Sequence, residues 1–324
     1  MKVLFVSSGK SSDGISPVVS AQGRSLQKSG VRVDYFAIGG KGLFSYLKAV
    51  PRLRRLLDGG NHDLVHAHYG LCGLVALMAV RRQKLVVSFM GDDLLGSRKQ
   101  NGKIRPSSRI MSALNAFISA RFYDHTIVKS ERMLRPGLKI NSVTVIPNGV
   151  DTDLFRPMDR NETMKVTGWD PRHRHVIFVS DPSRSEKNYP LAKLAVDYLH
   201  RNDIELHAVI GIDQSMMPYY YGSADALLLT SFHEGSANAI KEAMACNCPV
   251  ISTDTGDASV VTSDTSACFI VPWDHIAISS IVERAIEYRI KNGETNGRER
   301  IVSMGLDSVA VADRIIRIYE KVLE

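Results

Sequence analysis

Eleven short runs of apolar and β-branched residues punctuate this chain, and most lead through a loop with Gly, Ser or Asn into a stretch with apolar residues every three to four positions. Runs of that size suit strands, and the three-to-four spacing marks one face of a helix. Strands alternating with helices require crossover connections, which favour parallel sheets covered on both faces. The runs are Val3–Val6, Val31–Ala37, Leu64–His68, Leu85–Phe89, His125–Val128, Val143–Ile146, Val176–Val179, Glu205–Ile210, Ala226–Leu229, Pro249–Ser252 and Cys268–Val271. Helical stretches include Val18–Lys28, Gly73–Arg82, Leu191–Leu199, Ser236–Ala245 and Ile276–Arg289. The rhythm pauses at Pro147-Asn148-Gly149 and in the polar segment Arg156–Arg174, which holds Pro157, Gly168 and Pro171, so a linker is expected there. The pattern predicts two doubly wound α/β domains, at 1–155 and 156–306, and a last helix within 307–324 for which the first domain is one packing surface. A length of 324 residues suits two domains.

Composition narrows the class further. At 44% hydrophobic and 23% charged the chain can build a sizeable core. The longest apolar stretch, Leu71–Val80, is about half the ~18 residues a membrane span needs. The opening MKVLFVSSG is too short in its apolar part for a signal peptide and reads as a first strand. Four cysteines, Cys72, Cys246, Cys248 and Cys268, form neither a disulfide framework nor a paired metal motif, so a reducing, cytoplasmic setting is expected. Cys246 and Cys248, one residue apart, lack a second ligand pair nearby and read as small buried hydrophobes. Charge is divided unevenly: residues 1–156 carry 24 Lys and Arg against 10 Asp and Glu, while the remainder carries 17 against 24. A basic half concentrates anionic partners, whether substrate, lipid surface or nucleic acid, and charge alone does not choose among them.

In open parallel sheets ligands bind beyond the carboxyl ends of the strands. Ser7–Gly14 (SSGKSSDG) follows the first run and opens onto a helix N-terminus, a weak anion-site pattern that ends in Gly14. Ser88–Leu94 (SFMGDDL) places Asp92 and Asp93 side by side, but adjacent side chains diverge, and helix capping competes with metal binding as their role. After Val176–Val179 comes Ser180–Asn188, with Arg184 and Lys187 three positions apart, a pairing suited to a diphosphate. After Ala226–Leu229 the chain reads TSFHEGSANAIKEAMA: the small residues Gly235, Ser236 and Ala237, with Asn238, let backbone amides approach an anion. Glu234 precedes the expected helix and Glu242 lies about two turns along it, and a carboxylate suits the paired hydroxyls of a sugar or ribose.

At these residues the chain resembles the glycosyltransferases of family 4. VTVIPNGVDTDLFR at Val143–Arg156 looks like the family's domain-junction signature, Glu234 and Glu242 with seven residues between them look like its paired glutamates, and AMACNCPVIS continues that match. The resemblance spans nearly the whole chain. It implies the GT-B fold, two Rossmann-like domains facing across a cleft, and a retaining enzyme that uses a nucleotide-sugar donor. By that similarity Glu242 would bind the ribose hydroxyls, Glu234 the donor sugar and Lys187 with Arg184 the diphosphate, while the Gly235–Asn238 amides would contact sugar and phosphate. No metal and no other cofactor is expected, since cations and helix dipoles can stabilise the leaving diphosphate.

Two positions depart from the family pattern. Ser180-Asp181 stands where a Gly-Arg pair is common, and Met90 stands where a histidine often precedes the acceptor-side glycine, here Gly91. His68, with Gly91, Asp92 and Asp93, remains a candidate on the acceptor side, a core histidine being its plain alternative. Leu43–Leu57 clusters Arg52, Arg54 and Arg55 among leucines and aromatics, Pro51 leaving a continuous amphipathic helix open, and Arg98–Arg109 adds further cations. Peripheral binding to an anionic membrane surface is therefore expected, with a glycan or lipid-linked glycan as acceptor. No aromatic and basic interleaving points to nucleic acid. Two readings compete with polysaccharide or lipopolysaccharide synthesis: a degenerate subunit that binds a glycan or partner enzyme without turnover, and an epimerase or hydrolase on the same fold.

Overall fold

The structure is a computed structural model and describes residues 1–9, 14–40, 42–99 and 102–324. Two compact units are present: one comprises Met1–Ser97, Ile104–Gly149 and Ser308–Glu324, the other Arg98–Lys103 and Val150–Asp307. Their charges differ in sign, with 23 Lys and Arg against 11 acids in the first unit and 18 against 23 in the second.

The first unit runs β1 (Lys2–Ser8), α1 (Pro17–Lys28), β2 (Arg32–Ile38), α2 (Leu43–Gly59), β3 (Leu64–His68), α3 (Gly70–Ala79), β4 (Lys84–Ser88), α4 (Asp92–Leu95), α5 (Pro106–Phe122), β5 (His125–Val128) and β6 (Val143–Val145). Its strands form one parallel sheet in the order β2-β1-β3-β4-β5-β6. Alternate residues serve opposite faces, which explains why β1 is apolar on both: Leu4 and Val6 join the core under Leu53 and Val75, whereas Val3 and Phe5 join Val19 and Leu26. At the start of α1, Pro17 occupies the first turn and the Ser16 hydroxyl caps the Val19 amide. At Gly23 of α1 a Cβ would fall 1.9 Å from the Tyr35 hydroxyl, so any side chain there displaces that ring.

The second unit runs α6 (Arg160–Thr167), β7 (Arg174–Phe178), α7 (Tyr189–Asp197), β8 (Ile204–Ala208), α8 (Met217–Ser223), β9 (Ala226–Leu229), α9 (Asn238–Ala245), β10 (Val250–Thr253), α10 (Ala258–Thr262), β11 (Cys268–Val271), α11 (His275–Asn292) and α12 (Gly297–Ser303). Its parallel sheet has the order β11-β10-β9-β7-β8, so the direction of strand succession reverses between β7 and β9. The final helix, α13 (Ser308–Leu323), belongs to the first unit, where Val311, Ile315 and Tyr319 pack with Phe5, Val19 and Leu26.

Two local expectations need correction and one open point is settled. The polar segment Arg156–Arg174 is not a plain linker: it holds α6, capped by the Asp159 carboxylate on the Glu162 amide and ended by left-handed Gly168. Arg160 of this helix donates through Nη2 to both oxygens of the buried Asp225 carboxylate at 3.0 Å and through Nη1 to the Ala224 carbonyl at 3.3 Å. Second, α2 continues through Pro51 despite the missing amide. Third, α9 begins at Asn238, so Glu242 lies little more than one turn into it, not two. Cys246 and Cys248 are buried beside Ala243 and Ile301, and burial pushes both thiols up, that of Cys248 to about 12.

Candidate functional site

The loops that follow β7 and β9 meet at the strand-order reversal, the place where open α/β sheets bind ligands. They are joined by backbone and hydroxyl contacts. The Phe232 amide donates to the Glu186 carbonyl at 2.9 Å, and the Thr230 hydroxyl reaches the Lys187 and Asn188 carbonyls at 3.1 and 2.9 Å. Asn188 adopts a left-handed conformation, φ +54°, which turns the chain from the Ser185–Lys187 3-10 segment into α7. The outcome is a fixed pair: Lys187 Nζ lies 2.6 Å from Glu234 Oε1, which also accepts from the Ser231 hydroxyl at 2.6 Å. The two side chains are only 16% and 14% exposed. The Ser231 carbonyl is held in turn by Thr253 Oγ1 at 2.7 Å and Trp273 Nε1 at 3.1 Å, so the loops after β9, β10 and β11 are tied together.

A second set of contacts shapes the turn into α9. The Ser236 hydroxyl donates to Asp257 Oδ2 at 2.7 Å, and Lys241, buried in the first turn of α9, lies 3.2 Å from the same carboxylate and also bonds Ser236. Gly256, at φ +58°, permits this approach: a Cβ would come within 2.8 Å of the Gly235 carbonyl. Ala237, at the N-cap, offers no side-chain acceptor to the first amides of α9. Sequence reasoning missed Lys241 and Asp257. A buried lysine facing an acid sixteen positions on is visible only once the strand β10 folds back beside α9.

Glu242 belongs to a different set of partners. Its Oε2 accepts from the Tyr221 hydroxyl of α8 at 2.9 Å. Burial raises its pKa, while Tyr221, Gln214 and Lys241 oppose the rise. With Tyr221 and Gln214 as side-chain partners, the carboxylate still has lone pairs for a hydroxylated ligand.

Arg184 stands apart from these contacts. It is half-exposed and forms its own ion pair with Glu186, its Nε lying 2.7 Å from Oε1. Asp181 is turned onto its own loop, accepting from the Ser183 amide at 2.8 Å, a bond that holds its carboxyl below the ordinary range.

In the first unit the sequence candidates separate into buried and exposed groups. Asp93 is buried, and its two oxygens accept from the backbone amides of Gly70, Met90 and Gly91 at 2.9 to 3.1 Å. Burial outweighs those bonds and raises its carboxyl to about 6. Asp92 is exposed, so the adjacent acids diverge, and Gly91 at φ +142° supplies the turn between them and β4. His68 is 2% exposed, edge-on to Phe5 at 4.5 Å and 4.3 Å from His66, and neither of its nitrogens has a hydrogen-bond partner among the described residues. Burial and Lys129 lower its pKa to about 3. His66 instead bonds Tyr319 of α13 and, at 2.8 Å, Ser88. Gly14 has φ +77°, as a turn into α1 requires, while residues 10–13 of the same loop lie outside the described residues.

Comparison with known proteins agrees with this architecture. The family described as glycosyltransferase family 4 matches residues 12–154, and that described as glycosyl transferases group 1 matches residues 171–288. D-inositol 3-phosphate glycosyltransferase 2 of Catenulispora acidiphila is 23% identical, covering 83% of this chain and 74% of that protein. The chain spans less than two thirds of several other curated relatives of the same description. Sucrose-phosphate synthase from Thermosynechococcus elongatus has a similar fold, with TM-score 0.77 and 18% identity over 99% of this chain and 98% of that one. So does Anabaena HepE, solved in complex with UDP-glucose, with TM-score 0.72 and 18% identity over 99% of this chain and all of that one. With both Rossmann-like units matched in order, the chain belongs to the family 4, group 1 glycosyltransferases and has their GT-B fold.

Proposed function

We propose that this protein is a retaining glycosyltransferase that moves a sugar from a nucleoside-diphosphate sugar to a hydroxyl of a glycan or lipid-linked glycan, in the building of a cell-surface polysaccharide or lipopolysaccharide. The observation that carries the reading is the Lys187–Glu234–Ser231 cluster at the strand-order reversal of the second unit. A lysine ammonium has three donors, so Lys187 can keep Glu234 while facing a diphosphate. The first amides of α9, with no capping side chain, add a positive field beside it. Glu234 takes the sugar hydroxyls, Glu242 the ribose hydroxyls, and the Gly235–Asn238 backbone lies along sugar and phosphate. Arg184, paired with Glu186 through Nε and Nη2, has the donors of Nη1 left for the diphosphate.

The expected chemistry is attack on the face that the leaving group vacates. The bond from the anomeric carbon to the phosphate oxygen breaks, and the acceptor oxygen bonds to the same face. The departing phosphate takes the acceptor proton. Charge gathers on the diphosphate as that bond lengthens, so Lys187 and the helix amides matter most at that point. Because they supply the positive charge, this reading assigns no metal to the donor. The supporting parallel is Anabaena HepE, whose solved complexes contain UDP and UDP-glucose.

Thermal unfolding against a panel of nucleotides and nucleotide sugars tests the reading. One base series is expected to raise the melting temperature, and incubation of that donor with candidate acceptors is expected to give a product of unchanged anomeric configuration. Inversion would overturn retention. Absence of any shift would favour the non-catalytic binding subunit, and donor consumption without acceptor would favour an epimerase or hydrolase.

The acceptor side fits a membrane-bound glycan. On α5, Ile110, Leu114 and Phe117 are 73%, 43% and 58% exposed and recur at helical spacing, flanked by Arg109 and Arg121. On α2, Phe44 is 81% exposed, while Arg52 lies over the Phe36 ring at 5.9 Å and Arg54 is committed to the Met78 carbonyl. No helix among the described residues is long and apolar enough to cross a membrane. Peripheral docking on the cytoplasmic face of an anionic bilayer is the corresponding proposal.

A further inference from the structure

The second unit gathers ligand-type side chains at a place the donor reading does not use. In the parallel register of β7 and β8, His175 stands opposite Glu205, and the two-residue alternation of a strand puts His207 on the same face. His175 Nδ1 lies 2.9 Å from His207 Nε2. Glu205 Oε2 lies 3.3 Å from that His207 nitrogen and 3.7 Å from the His175 nitrogen. Ligands about 2.0–2.1 Å from a tetrahedral zinc ion stand about 3.3–3.4 Å from each other, within the range of those separations.

The surroundings aim the lone pairs inward. His175 is fully buried, and its Nε2 lies 2.9 Å from the Asp170 carbonyl. A carbonyl only accepts, so that nitrogen carries the proton and the neutral ring turns a bare Nδ1 toward His207. A second-nitrogen bond to a carbonyl is also how ligating imidazoles are usually oriented. The other Glu205 oxygen contacts His173 Nδ1, which fixes the carboxylate. Trp169 stacks on the His207 ring at 4.1 Å and 13°, shielding one side.

We propose that His175, His207 and Glu205 bind one divalent cation of the zinc class, with water at the remaining position, as a structural staple. On binding, His207 moves its proton from Nε2 to Nδ1, and both facing nitrogens give their lone pairs to the cation. Since β8 is the edge strand with β7 as its only sheet neighbour among the described residues, the staple ties edge strand, β7 and Trp169 into one piece. Two imidazoles and a carboxylate match zinc better than magnesium or calcium, which prefer all-oxygen sites.

The test uses the full chain without a histidine tag, stripped with a chelator and titrated with cobalt(II), then zinc. One equivalent of cobalt is expected to give the visible bands of a low-coordinate centre, zinc to displace it, and zinc to raise the melting temperature by about 5 °C. His207→Gln and Glu205→Gln, both at partly exposed positions, are expected to lose the cobalt bands and the zinc shift while keeping the far-ultraviolet circular dichroism of the parent. His173→Gln is expected to weaken cobalt binding a few-fold. Failure of the parent chain to take up one equivalent would overturn the proposal, as would uptake that survives in a folded His207→Gln chain.

Discussion

Lys187 and Glu234 neutralise one another within 2.6 Å in a setting that is mostly closed to water, so removing either leaves a charge without its partner. Lys187→Ala is expected to lower kcat by about 100-fold or more, because the lost donor acts on charge that develops during transfer. Glu242→Gln is expected to act chiefly on nucleotide affinity; steady-state kinetics with the identified donor separates the two. His68 makes a different prediction. Its folded pKa of about 3 lies below the ordinary 6.5, so its stabilising contribution is complete above pH 6.5 and is lost as pH falls from there toward 3. Between pH 7.5 and 5.5 the parent is expected to lose about 1.4 kcal/mol more than His68→Leu, read from denaturant unfolding of both chains. Equal losses would mean that His68 is accessible to protons in the folded state. The positions of Lys187, Glu234 and Glu242 were legible in the sequence because the first two lie in the loops that follow β7 and β9 and the third in the helix that the β9 loop opens onto. The Ser236–Lys241–Asp257 contacts and the His175–His207 pair were not, since they depend on register between separate segments.

All eleven strand runs correspond to strands, with ends displaced by at most two residues, because a strand covered on both faces, as β1 and β9 are, is apolar along most of its length. The helix α6 escaped notice for the opposite reason: its segment is polar, and it is held by a cap and by the Arg160–Asp225 pair more than by an apolar stripe. α8 is hidden as well, since MPYYYGS carries a proline at its start and no clear three-to-four apolar spacing. In α2 the ambiguous signal was Pro51, which the helix tolerates although its ring opposes the preceding turn. Pro51 is exposed, so Pro51→Ala restores an amide without disturbing the core and is expected to stabilise the chain by about 1–3 kcal/mol. Denaturant midpoints at constant m-value measure this; no change would show that the surrounding packing already absorbs the strain.

Across the whole molecule the +7 charge conceals units of opposite sign, the first basic and the second acidic. Binding to vesicles containing anionic lipid is expected at low ionic strength and is expected to fall steeply as salt rises, with Phe117→Ser weakening it further. Salt-independent binding would point to insertion of apolar groups as the main source of affinity, and no binding at low salt would remove the membrane from the proposal. The descent of the chain through the two units has another consequence. The first unit contains α13, whose Tyr319 bonds His66 across 253 positions of sequence. During synthesis on the ribosome, the half of the molecule translated first therefore waits for its last helix until all of Val150–Asp307 has emerged. The segment made later can complete its core earlier, and the nascent first unit meanwhile exposes the apolar surface of Phe5, Val19 and Leu26 that α13 will cover, the interval in which a chaperone has most to hold.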